Sequence, residues 1–320
     1  MTTPSLIACV RSHRAALPKD VVSYVEELHD RNAIRNERLN TQLEEAILTL
    51  NDAGITPLLI KGAAMLATSP PSARALRLMC DLDLIVYPDE MDAAKQALAS
   101  IGYHVDHESD GQQAKWYADL KRPCDVGMID LHQGFPDRSC FNQTPDDLRS
   151  HLHPIRIGTA NALVPSLELR ALVLLGHDQF QDYDYWTGSI DLRHLLDLRD
   201  LLTAPNGMQW DKLMAMVSGT LARNAVETRL LLLTTLFDIQ WPTHHPKRLV
   251  PRLQVWRQLL QARIPLIRYF LLPMGFLDYR HHRARAGLPA PDERDRRYFP
   301  KLSTLYFLIS LSHKYRTGKI

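Results

Sequence analysis

Two aspartates one residue apart, Asp81-Leu82-Asp83, lie in the string MCDLDLIVY, where Leu82, Leu84 and Val86 alternate with Asp81, Asp83 and Ile85. A period of two predicts a strand, and residues two apart on a strand share a face. Both carboxylates then project together, an arrangement in which like charges favour sharing a divalent cation. A hard ion such as Mg²⁺ takes oxygen ligands and keeps positions open for phosphate oxygens. Alone, such a pair is a common surface feature. A third acid gives it weight: Asp130, in VGMIDLHQGF, sits between apolar neighbours in a second predicted strand, with His132 on the same face. Burying a carboxylate there is costly unless it ligates a metal or meets a cation from a neighbouring element.

The elements that must position these acids can be read from the chain on either side. Val21 to Ala53 carries apolar residues at helical spacing, including Leu39, Leu43, Ile47 and Leu50, and Gly54 supplies a stop. Ile55 to Ile60 is a short apolar run closed by Lys61-Gly62, which reads as a strand entering a turn, with a brief helix over 63–68. SPPSAR is a loop by composition, and Pro88 opens a helix through Ser100. A short strand at Tyr103 to Val105 and a hairpin of Lys115 to Leu120 with Asp125 to Gln133 follow, then an apolar segment at Ala162 to Val164. Strands then give way to helices over about 166–181, 190–202, 211–218, 221–237, 253–272 and 301–314. The first of these has Ser166 as a plain cap, because Leu169 rather than Glu stands three residues on.

The string LLIKGAAML, then RLMCDLDLIV, an L-x-x-x-GY segment at Leu98 to Tyr103 and later MIDLH together resemble the uncharacterised bacterial nucleotidyltransferase family of the polymerase-beta-like superfamily. The matching pieces are Lys61-Gly62, Arg77-x-Met79-x-Asp81-x-Asp83 and Asp130-Leu131-His132, in order over roughly residues 55 to 135. LELRALVLLGHD, Trp186 and LRHLLDLRDLL resemble its helical half more loosely. The resemblance implies a small mixed sheet with flanking helices and two metal ions, Mg²⁺ or Mn²⁺, held by Asp81, Asp83 and Asp130. It also implies a nucleoside triphosphate near Lys61, Gly62 and Arg77, with His132 supporting the metal acids from behind. Nucleotidyl transfer to an acceptor hydroxyl or phosphate, releasing pyrophosphate, is the expected activity, with Asp130 as the proton acceptor.

One departure stands out. Many superfamily members carry Gly-Ser or Gly-Gly before the aspartate strand, and this chain reads Lys61-Gly62-Ala63, without a hydroxyl. Backbone amides can still hold phosphate there, and Lys61 can contact phosphate directly or pair with the aspartates. The alternative expectation is a non-catalytic protein that keeps the fold to bind a nucleotide or partner.

The 320 residues leave room for two domains, expected at 1–165 for the α+β nucleotidyltransferase-like part and 166–320 for an all-helical part. With 45% hydrophobic and 23% charged residues, the composition is that of a globular chain and excludes a fibrous repeat or wholesale disorder. Four scattered cysteines form no C-x-x-C pair, so neither a zinc knuckle nor a disulfide framework is indicated. No secretory leader and no run of about 20 apolar residues is evident, so the expectation is a cytoplasmic protein without a membrane partner. The net charge of +2 conceals a split: from Trp241 onward there are 16 Lys or Arg against four acids, leaving the preceding part at 22 against 32. The basic end, with aromatics such as Tyr298 and Phe299, makes RNA a possible acceptor, although most such aromatics at helical spacing are core.

Overall fold

The computed structural model describes residues 2–109, 117–135 and 148–285. The chain forms two compact units: Met1–Leu174 with Asp200–Val217, and Leu175–Arg199 with Ser218–Ile320. The architecture is mixed α and β, with a C-terminal helical region. No described helix is long and apolar enough to cross a membrane.

The first unit holds one sheet of seven strands: β1 (Leu58–Leu59), β2 (Asp81–Val86), β3 (His104–Glu108), β4 (Tyr117–Lys121), β5 (Met128–Gln133), β6 (Leu152–Ile157) and β7 (Ala160–Pro165). Their order is β3-β4-β5-β2-β1-β7-β6. β2 runs parallel to β5 and β1 parallel to β7, while the other neighbours are antiparallel. Leu82 and Leu84 of β2 and Ile129 and Leu131 of β5 are fully buried in a core that also takes Leu39, Leu43, Ile47 and Leu50 of the helix Lys19–Asp52. Each such leucine contributes roughly 1.5–3 kcal/mol by leaving water. Committing that face of the strands to the helix sends Asp81, Asp83, Asp130 and His132 to the opposite face.

Three sequence expectations need correction. The run Ile55 to Ile60 forms only the two-residue β1, because Pro57 has no N–H for a ladder and serves through its carbonyl, which accepts from Leu163 N at 2.9 Å. SPPSAR, expected as a loop, contains the one-turn helix Pro71–Arg74, whose first position suits a residue without an N–H; β6, on which no expectation fell, lies at the sheet edge, where Pro154 is tolerated. The single helix expected over 253–272 is two helices, Leu249–Arg263 and Ile267–Arg285, separated at Ile264-Pro265 where proline ends the hydrogen-bond ladder. The helix expected over 301–314, the first two residues of the strand at Lys115 to Leu120, and Tyr298 and Phe299 lie outside the described residues.

The centre of the second unit is an ion cluster. Arg229, in the helix Gly219–Leu236, has a wholly buried side chain whose Nε donates to Asp178 Oδ2 at 2.6 Å. Its Nη2 donates to Asp184 Oδ2 at 3.0 Å and to the Ser189 carbonyl at 3.2 Å. Gln179 Nε2 adds a 2.8 Å bond to Asp178 Oδ2, and His194 Nδ1 lies 3.5 Å from Asp178 Oδ1. Asp178 and Gln179 belong to a π-helical turn, His177–Gln181, that follows the helix Leu167–Gly176. Burial alone would raise the Asp178 pKa, but Arg229 and His194 hold it below the usual carboxylate range. Asp184 is pushed well above that range by burial and then by the Asp178 charge.

Candidate active site

The acids predicted from sequence converge where β2 and β5 run side by side. In the parallel ladder Asp83 stands opposite Asp130, Asp81 opposite Met128, and His132 opposite Ile85. Asp83 is only 2% exposed and His132 is fully buried. His132 Nε2 donates to Asp83 Oδ1 at 3.2 Å and lies 3.1 Å from Asp130 Oδ2, so one ring nitrogen holds both carboxylates. That geometry places the ring proton on Nε2. Asp130 Oδ1 is buried with no hydrogen-bond partner among the described residues, a costly state for a carboxylate oxygen that an incoming cation would relieve.

The backbone hydrogen bond from Ile60 N to Asp83 O, 3.2 Å, continues the β1–β2 pairing and brings the next residue beside the acids. Lys61 Nζ lies 2.6 Å from Asp83 Oδ1, with its side chain 14% exposed. Lys61 opens the helix Lys61–Thr68 with φ +45°, a left-handed backbone that costs a non-glycine residue on the order of 1–2 kcal/mol. Such strain recurs where surrounding structure enforces a functional geometry.

The electrostatics follow from this packing. Burial alone would raise the Asp83 pKa, but the Lys61 ammonium and the His132 hydrogen bond hold the carboxyl well below its ordinary range. Burial would lower Lys61, yet Asp83, and more weakly Asp130 and Asp81, raise it above the ordinary lysine value. Asp81 is raised by burial and then by the charge of Asp83, with Lys61 opposing.

Gly62 has a steric reason for its identity. A Cβ there would meet Arg77 Nη1 at 2.7 Å and Met79 Sδ at 3.3 Å, so the guanidinium of Arg77 lies directly over the turn. The structure thus brings Lys61, Asp83, Asp130 and His132 into contact and sets Arg77 over Gly62. The ligand atoms of Asp83, Asp130 and His132 all lie within 4.8 Å of one another, a grouping able to hold a metal ion; Asp81 stands outside it, two residues earlier on the same strand face.

Sequence reasoning missed the residues that steady this arrangement. Asn32 Nδ2 donates to the carbonyls of Ala75 (2.7 Å) and Arg77 (3.0 Å), and Asn36 Nδ2 to those of Arg74 and Arg77, both at 2.7 Å. Arg35 Nε reaches Met79 O at 3.0 Å, and Gln42 Nε2 reaches Gly127 O at 2.9 Å. The long helix therefore fixes the loop that delivers Arg77 to β2 and the turn that enters β5. The available signal was amides at helical spacing, Asn32 and Asn36, in line with the apolar stripe through Leu39 and Leu43.

A mixed sheet that sets in-register carboxylates beside a strained lysine turn gathers oxygen ligands able to hold a cation. The chain belongs to the family described as uncharacterised nucleotidyltransferase, which matches residues 2–238. That membership makes it a nucleotidyltransferase, an enzyme acting on a nucleotide donor and an acceptor. Similar solved structures include the antibiotic-resistance factor ANT(2'')-Ia in solution, at 15% identity, covering 62% of this chain and 96% of that one with a TM-score of 0.37. The crystal structure of ANT(2'')-Ia with adenylyl-2''-tobramycin gives 15% identity, 60% and 98% coverage and a TM-score of 0.38. An antigenic nucleotidyltransferase-like protein from Paracoccidioides brasiliensis gives 18% identity, 62% and 88% coverage and 0.36. No curated protein matches the chain.

Proposed function

We propose that the protein transfers a nucleoside monophosphate from a nucleoside triphosphate to an acceptor hydroxyl or phosphate, with Mg²⁺ or Mn²⁺, releasing pyrophosphate. The observation that carries this reading is the Asp83–His132–Asp130 arrangement, in which a buried carboxylate oxygen of Asp130 has no hydrogen-bond partner among the described residues. Asp83 and Asp130, with Asp81 beside them, are the residues to hold two ions; the oxygen-rich donor set suits hard cations. Bound there, such ions offset charge on the triphosphate and acidify an acceptor hydroxyl.

The protein's own groups have separable tasks. Asp130 accepts the acceptor's proton as the new oxygen–phosphorus bond forms at the α-phosphate. The bond from that phosphorus to the bridging oxygen breaks, and the electron pair leaves with pyrophosphate. His132 keeps Asp83 and Asp130 in register. The turn at Lys61-Gly62 and the Arg77 guanidinium supply positive charge and backbone N–H groups for the triphosphate, with Gly62 leaving Arg77 the room it occupies.

The cytoplasm, which supplies nucleotide and Mg²⁺, is the compartment this reading implies, and ATP is the first donor to test. Incubating protein with Mg²⁺, cell extract and triphosphates labelled at the α-phosphate should label a metabolite, a protein or an RNA, and the labelled fraction identifies the acceptor. Equal labelling by wild type and by the Asp81→Asn/Asp83→Asn variant would contradict the proposal. Nucleotide binding without pyrophosphate release would instead favour a binding protein, the reading that Ala63, buried and lacking a hydroxyl, supports.

A further inference from the structure

We infer that Lys61 is a tethered placeholder cation: its ammonium sits on Asp83 Oδ1, in the place of positive charge that a divalent ion would fill, and moves to the triphosphate when ion and nucleotide enter together. This rests on the metal-dependent reading above. Asp83 is buried, and a carboxylate in that setting needs a positive partner at all times. Lys61 Nζ, 2.6 Å from Oδ1, is that partner, and His132 Nε2 already occupies the same oxygen at 3.2 Å. Two donors on Oδ1 leave a cation no approach to that oxygen while the lysine stays, and the ammonium charge opposes a second cation at the other carboxylate oxygen.

His132 is fully buried on β5 and cannot withdraw, whereas Lys61 is partly exposed on a flexible four-carbon stem. Its backbone position at the first residue of the 61–68 helix puts it on the turn beside Gly62 and the Arg77 guanidinium. A released ammonium therefore has an anionic destination close by only when a triphosphate lies over that turn. The exchange makes an ion alone a poor ligand and an ion with nucleotide a good one, which limits futile metal binding.

The test is Mn²⁺ affinity, read from the electron paramagnetic resonance signal of free Mn²⁺, with and without a non-hydrolysable triphosphate analogue, after subtraction of the Mn²⁺ that the analogue binds without protein. For Lys61→Met without nucleotide, affinity should rise about tenfold over wild type. Wild-type affinity should rise by a similar factor when the analogue is added, and this coupling should shrink in the variant. If Lys61→Met does not fold by circular dichroism, Lys61→Gln carries the same expectation, and the wild-type coupling is measured regardless. Folded variants that bind Mn²⁺ no more tightly than wild type would overturn the placeholder role while leaving the metal site intact. A wild type that binds no Mn²⁺ even with the analogue would overturn both.

Discussion

Each unit gathers aspartates around one principal cation, and in each one buried acid is held below the ordinary carboxylate range while its neighbour is raised. The difference lies in which groups are left over: among the described residues a cationic nitrogen, Arg229 Nη1, lacks a hydrogen-bond partner in the second unit, and a carboxylate oxygen, Asp130 Oδ1, in the first. In the second unit Arg229, wholly enclosed, spreads its fork across Asp178, Asp184 and a carbonyl, and both oxygens of Asp178 face donors. In the first unit the cation is a point charge on a movable stem reaching one oxygen of Asp83, a third acid stands opposite, and an Asp130 oxygen is left over. An enclosed arginine that reaches two carboxylates through separate nitrogens, with His194 on the other oxygen of Asp178, leaves that acid no oxygen for a further cation, whereas a lysine on one oxygen of Asp83 leaves Asp130 Oδ1 open to one. The arginine pattern holds a fold together, and the lysine pattern is the one expected of the proposed cation site.

Substitutions can break or sharpen that contrast. The largest effect is expected for Asp83→Asn, which should cut nucleotidyl transfer by on the order of 10³-fold or more in single-turnover assays, about 4 kcal/mol of barrier. Next comes Arg229→Met, which strands two buried acids and should cost about 3–5 kcal/mol of stability by denaturant unfolding. Gly62→Ala drives a methyl group toward Arg77 Nη1 and should raise the KM for triphosphate roughly tenfold, about 1.4 kcal/mol, with the melting temperature little changed.

The smallest effect concerns the raised acids. Asp184, with a folded pKa above its unfolded one, gives stability that is present below the ordinary carboxylate value and lost as pH rises through the raised one. Asp184→Asn should therefore gain on wild type, by a few degrees at most, as pH rises from about 4 to 7 in thermal melts. Asp178 and Asp83 act in the opposite sense, giving stability present above the ordinary value and lost as pH falls below it.

How much of this was legible in the sequence differs between the same two regions. The period-two run around Asp81 and Asp83, the apolar setting of Asp130 and the Lys61-Gly62 stop marked three elements and most of the candidate site, because a half-buried strand writes its faces directly into alternation. The pairing of Lys61 with Asp83 rather than Asp81 depended on register, which the backbone bond from Ile60 to Asp83 sets. Asn32 and Asn36 share the spacing of the apolar stripe, but an amide on a helix looks solvated until the loop it holds is known. The Arg229 cluster joins positions 178, 184, 194 and 229, and no local period links residues so far apart. Proline punctuated the chain at Pro265, where ignoring it merged two helices into one, but not at Pro273, which lies inside the second of them.

The claim that the first cluster is an open cation site is tested most directly by a crystal soaked with Mn²⁺ and a non-hydrolysable triphosphate, using anomalous scattering to locate the metal. The account predicts Mn²⁺ bound by Asp83 and Asp130, with Lys61 Nζ moved from Asp83 to a phosphate oxygen. An anomalous map with no peak at these acids, and Lys61 still seated on Asp83 beside bound nucleotide, would contradict it.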